Sequence, residues 1–182
     1  MTGLATLYDY TKQEPYKDDL VDELLKNDEV RKALGVKGDV VFEVCSDLVG
    51  EILSEDVMKS VKYKVEELVK KSKVLLYQGF FDLRDGVVST EAWVKTLEWE
   101  GLERFLAAER KVWRVNGELA GYVQKWGSLS NVVVLGAGHL VPSDKALSAQ
   151  AMIEDWVLGN GLFEGEPEVN KDKRNFLGPN AI

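Results

Sequence analysis

One histidine and one cysteine occur in 182 residues, and these two scarcities exclude a good deal. A single Cys forms no internal disulfide, and one Cys with one His does not complete a structural zinc site. No metal or cofactor is therefore expected. No stretch approaches the ~18 consecutive apolar residues of a membrane span, so no membrane partner is expected either. The opening "MTGLATLYDYTKQEPYKDD" lacks a basic region leading into an apolar one, and the chain as written shows no secretory address. Long basic runs are also missing. "KKSK" at Lys70 to Lys73 suits the last turn of a helix, where cations complement the dipole. A net charge of −8 argues against nucleic acid, whose phosphates are bound through clustered Lys and Arg.

What is present is enough for a core. With 45% hydrophobic and 30% charged residues, the composition is that of one globular unit. "DDLVDELLKNDEVRKALGV" predicts two short helices, with Gly35 as a stop. "SEDVMKSVKYKVEELVKKSK" predicts one helix capped by Ser54, its apolar face formed by Val57, Met58, Val61, Val65, Leu68 and Val69. The continuous apolar run Val74 to Tyr77, closed by Gly79, has the pattern of a parallel strand buried on both faces. Helical material follows, with Ser89 or Thr90 as caps. "RKVWRVNGELAGYVQKWGSLSNVVVLGAG" predicts an antiparallel meander, with turns at Asn116-Gly117 and at Gly127 to Ser130 and a buried strand at Val132 to Leu135. A helix capped by Ser143 or Asp144 and closed by Gly159 completes the domain, expected over 1–163. The remainder, 164–182, is expected to be a loose polar tail.

Two loops carry the chemistry. In open α/β sheets functional groups gather beyond the carboxyl ends of the strands, and both Asp82 and His139 fall just past such ends. Acid then base is also the chain order of the last two members of an α/β-hydrolase triad. The acid would hold the imidazole in one tautomer, and the His would move the proton of a serine hydroxyl. By spacing alone a loop His is more often simply hydrogen-bonded or solvated, and Asp85 competes with Asp82 for the acid position.

Longer stretches sharpen this. "VLLYQGFFDLRDGVVSTEAWVKTLEWEGLERF", "RKVWRVNGELAGYVQKWGSLSNVVVLGAGHLVPSDKA" and "AMIEDWVLGNGLF" resemble the C-terminal region of the serine carboxypeptidase family, especially its plant serine carboxypeptidase-like members. With "LLKNDEVRKALGV" and "FEVCSD" upstream, the resemblance covers about residues 14 to 163. It implies an α/β fold, the C-terminal portion of an α/β-hydrolase sheet with flanking helices and an antiparallel meander. It also implies that Asp82 is the triad acid and His139 the triad base. Members of that family are secreted or vacuolar enzymes that remove C-terminal amino acids, and plant relatives include acyltransferases and a hydroxynitrile lyase. A catalytically inactive interaction or regulatory paralogue is a further alternative.

The nucleophile is missing: no serine here stands in a Gly-x-Ser-x-Gly elbow. The resemblance therefore implies the last portion of a longer protein, with a peptide or small ester as substrate only once an N-terminal half is supplied. It further implies that Cys45, otherwise a small buried hydrophobe, pairs with a cysteine of that half. Without upstream strands the Val74 to Tyr77 edge would be uncovered, and self-association through it is expected. Each exposed Val or Leu forfeits roughly 1.5–3 kcal/mol of burial, so a handful of them rivals the stability of a whole domain.

Overall fold

A computed structural model describes residues 3–17 and 19–164. Apart from Glu164, the tail expected at 164–182 lies outside the described residues. The chain groups into two compact units, Glu14–Ser60 and the remainder.

The Glu14–Ser60 unit contains α1 (Asp19–Lys26), α2 (Asp28–Ala33) and α3 (Asp47–Val57). The two helices expected before Gly35 are both present. Asn27 caps α2, its side-chain oxygen accepting from the backbone N–H of Glu29 and Val30 at 3.0 and 3.2 Å. Gly35, at φ 70°, takes the left-handed conformation that stops the segment. No residue of α1 to α3 is buried, and the apolar stripe is open enough that Leu20 is 81% exposed. Cys45 is likewise exposed and free, contrary to a buried small hydrophobe.

The single helix expected from Ser54 to Lys73 is two. α3 ends at Val57 and α4 runs from Lys62 to Val69. Ser54 is inside α3, its hydroxyl donating to the carbonyl of Glu51 at 2.8 Å. Neither proline nor glycine marks the break. It falls at the border of the two units: Val65 and Val69 of α4 join a buried core, whereas α3 buries nothing. Packing decides here over periodicity, which runs through the break.

The larger unit is built on a four-stranded sheet in the order β1-β4-β3-β2, from β1 (Val74–Gly79), β2 (Arg110–Val115), β3 (Glu118–Trp126) and β4 (Leu129–Val134). β1 pairs with β4 in parallel, and the other pairings are antiparallel, forming the expected meander. Asn116 and Gly117 both have positive φ, 53° and 83°, which matches the right-handed twist of a two-residue hairpin. Side chains alternate along the parallel pair. Leu75, Val132 and Val134 join a cluster with Met152 and Phe163, while Val74, Leu76 and Leu129 join one with Val69 and Phe105. Helices α5 (Val87–Val94) and α6 (Leu102–Ala107) contribute to the second cluster. α8 (Ala146–Leu158), reached through the single turn α7 (Val141–Asp144), contributes to the first. Leu129, Val132 and Val134 are fully buried, each worth roughly 1.5–3 kcal/mol.

Gly159, at φ 70°, closes α8 as expected. The expected caps do not form: Gly86 precedes α5 and Lys145 precedes α8, neither with a side-chain cap bond. Thr90 bonds Gln78 and Asp144 bonds Gly138 and Lys12 instead, while Ser89 donates to the Gly86 carbonyl within its own turn.

One carboxylate ties α4 to the segment after α5. Glu66 pairs with Lys62 at 2.8 Å and accepts the backbone N–H of Glu98 at 2.8 Å. The Lys62 bond, then the Glu98 amide, hold its carboxyl below the usual glutamate value. A depressed carboxyl stabilises the fold above its unfolded value and loses that contribution as pH falls through the folded one. The Glu98 amide resonance is therefore expected to titrate with a midpoint below that of an ordinary glutamate, and Glu66→Gln should abolish that titration.

Candidate active site

Because β1 and β4 are adjacent and parallel, with Gly79 opposite Val134, their carboxyl ends open at the same edge of the sheet. The loops that follow are sewn together at once. Phe80 N–H donates to the carbonyl of Val134 and Phe81 N–H to that of Ala137, both at 2.9 Å. Gly79 is required by this approach: a Cβ there would lie 1.9 Å from the carbonyl oxygen of Gly138.

Asp82 and His139, 57 residues apart, meet here, with His139 Nδ1 2.8 Å from Asp82 Oδ2. The Asp82 side chain is wholly buried and that of His139 is 30% exposed. Three more N–H groups converge on the carboxylate. Oδ1 accepts from the backbone of Arg84 at 2.8 Å and of Asp85 at 3.1 Å, and Oδ2 also accepts from Gln78 Nε2 at 2.6 Å. Buried charge is tolerable only when hydrogen-bonded in this way. Gln78 is itself oriented, its Oε1 accepting from the Thr90 hydroxyl at 3.2 Å. With Asp82 as a carboxylate, which only accepts, Nδ1 carries the proton and, in the neutral ring, Nε2 bears the lone pair. Nε2 makes no hydrogen bond to another described residue.

The competing acid, Asp85, has a carboxyl oxygen 3.8 Å from the same Nδ1 but a side chain 65% exposed. At that distance it is beyond hydrogen-bond reach of the ring, and the same oxygen lies 3.9 Å from Arg84 Nε. No serine hydroxyl is bonded to His139 among the described residues. Ser128 and Ser130 sit at the opposite, amino end of β4.

A third segment, 7–12, crosses both loops. Leu83 N–H donates to the carbonyl of Leu7 at 3.0 Å, Tyr10 N–H to that of Phe81 at 3.1 Å, and His139 N–H to that of Tyr8 at 2.7 Å. Tyr8 stacks on the imidazole with ring centroids 4.9 Å apart and planes inclined by 13°. Arg84 donates to the Tyr8 hydroxyl. Asp144 accepts the N–H of Gly138 at 2.9 Å and pairs with Lys12 at 3.3 Å, which ties the base loop to the same strap. Sequence patterning gave no hint of Tyr8, Arg84 or Asp144 at the site. Gln78, a lone amide in the apolar run "VLLYQG", carried the one signal that could have been read.

The architecture has a solved counterpart. The chain superimposes on a prohormone-processing carboxypeptidase from Saccharomyces cerevisiae, Kex1, with a TM-score of 0.72 at 22% identity, covering 87% of this chain and 38% of that one. The fold is thus that of the α/β-hydrolases. A serine carboxypeptidase family profile matches residues 5–159, and the chain belongs to the serine carboxypeptidase family. The match begins upstream of residue 14 and so includes the strap. Serine carboxypeptidase-like 50 of Arabidopsis thaliana is 57% identical over 167 residues, which are 91% of this chain and 38% of that protein. Probable serine carboxypeptidase CPVL of Homo sapiens is 32% identical over 165 residues, 88% of this chain and 34% of that protein. The chain therefore spans little more than a third of the length of these relatives.

Proposed function

We propose that this chain carries the acid and the base of a serine-type carboxypeptidase, Asp82 and His139, which act on a serine nucleophile held by a segment it does not itself contain. The observation that carries this is the 2.8 Å bond from His139 Nδ1 to a fully buried carboxylate, at the carboxyl ends of neighbouring parallel strands and in acid-then-base order. Asp82 accepts a hydrogen bond from Nδ1–H and stabilises the imidazolium without taking its proton. Nε2 takes the proton of the attacking hydroxyl and returns it to the leaving amine, releasing the C-terminal amino acid of a peptide. Acid and base alone cannot form the covalent acyl intermediate, and no Gly-x-Ser-x-Gly occurs in the 182 residues. The outer edge of β1, unpaired among the described residues, is where a nucleophile-bearing segment would add its strands.

Co-refolding tests this. The chain alone should hydrolyse no blocked dipeptide and take no label from a fluorophosphonate. Mixed with the region of the Arabidopsis relative that lies upstream of the matched residues, it should yield a complex that does both, with the label on the added chain. Turnover by the 182-residue chain alone, with stoichiometric labelling of one of its own serines, would refute the assignment.

A further inference from the structure

We propose that Tyr8 is a positioning residue for His139, and that the segment 7–12 is the strap that brings it to the imidazole. The inference rests on the acid–base role proposed for Asp82 and His139. An imidazole bonded through one nitrogen can still rotate out of plane about that bond, and Nε2 would swing with it. Three contacts from Tyr8 prevent this. Its carbonyl takes the His139 N–H at 2.7 Å, which fixes the backbone from which the ring hangs. Its ring lies nearly parallel to the imidazole, 13° apart at a 4.9 Å centroid distance, which fixes the ring plane. Its hydroxyl accepts from Arg84, which stands two residues beyond Asp82, so the stack is anchored to the acid loop and not only to the base loop. The approach leaves no slack: a Cβ on Gly138 would lie 2.2 Å from the Tyr8 carbonyl oxygen. Leu7 and Tyr10, on either side, bond the acid loop directly, so the two loops share one clamp.

His139 is the sole histidine, so in the ¹⁵N,¹³C-labelled 182-residue chain its ring signals need no assignment. Two readouts are independent. Upfield ring-current shifts of the imidazole protons report the stack, and the ¹⁵N shifts of the neutral ring report the ratio of the Nδ1–H to the Nε2–H tautomer, which reflects the bond to Asp82. In the wild type both should be marked. Tyr8→Phe, which keeps the ring but loses the bond to Arg84, should keep the upfield shift and lower the tautomer ratio less than the ring-less variants do. Tyr8→Leu and Tyr8→Met should lose the upfield shift and lower the tautomer ratio roughly two- to tenfold, the factor that an aromatic contact of about 0.5–1.5 kcal/mol represents. Asp82→Asn should change the tautomer ratio while leaving the upfield shift in place. A ring-less variant that keeps the wild-type tautomer ratio would overturn the role of Tyr8. If one such variant does not fold, the other decides. If neither folds, wild-type imidazole protons without the upfield shift would overturn it. An Asp82→Asn chain with an unchanged tautomer ratio would instead remove the acid–base pair on which the inference rests.

Discussion

In the reassembled two-chain enzyme, His139→Ala is expected to lower turnover on the order of 10⁶-fold, and Asp82→Asn roughly 10⁴-fold, the losses typical of the base and of the acid in a serine hydrolase triad. The asymmetry follows from the geometry. In the proposed mechanism His139 would handle the proton in both acylation and deacylation, so nothing would replace it. Asp82→Asn keeps the shape but turns an amide toward Nδ1, and the ring then answers with the wrong tautomer. Asp85→Asn should change turnover less than about twofold, because that side chain is 65% exposed and 3.8 Å from the nitrogen, in the range where a surface charge pair contributes little. Single-turnover rates with a blocked dipeptide give all three values. Comparable losses from Asp82→Asn and Asp85→Asn, or a His139→Ala complex as active as the wild type, would place the chemistry elsewhere.

The second large effect concerns stability. Gly79→Ala puts a methyl carbon 1.9 Å from the carbonyl oxygen of Gly138 and 2.6 Å from that of Ala137, both backbone. No rotamer change relieves that, so the acid and base loops must separate. A cost of about 3 kcal/mol or more is expected, at the upper end of overpacking substitutions. Gly50→Ala provides the contrast, since it lies inside α3 with nothing within 4 Å and should raise stability by roughly 0.5–1 kcal/mol through helix propensity. Denaturant midpoints of the two variants should move in opposite directions. A Gly79→Ala chain that unfolds with the wild type would show that the loops do not abut as described.

How far these features could be read from the sequence depends on the range of the forces behind them. Strand β1 was legible because an apolar run bounded by glycine is a local signal, and so were the Asn116-Gly117 turn and the Gly159 stop, where the backbone itself demands the residue; β4 was legible only in part, since it begins at Leu129, inside the expected Gly127 to Ser130 turn, and ends at Val134. Strand ends and chain order allowed His139 to meet either Asp82 or Asp85, and only the family resemblance favoured Asp82. The break between α3 and α4 was not legible, because Val57, Met58, Val61, Val65 and Leu68 keep helical spacing across it and only packing distinguishes the halves. A Ser or Asp ahead of a helix suits a cap, but Asp144 turns to the Gly138 amide and Lys12. Tyr8 was invisible, since its partners lie far away in the chain and no periodicity points to them.

Those separations have a topological consequence. The meander closes over a two-residue turn, whereas 57 residues separate Asp82 from His139 and 76 separate Tyr8 from Arg84. The entropy lost in closing a loop grows with its length, about (3/2)RT ln n, and contacts of high order are made only when most of the sheet already exists. The strap over the chemical corner, which bonds Tyr8 to His139 and Lys12 to Asp144, is thus the least local part of the larger unit. On contact order alone it is expected to be drawn together late and to loosen early.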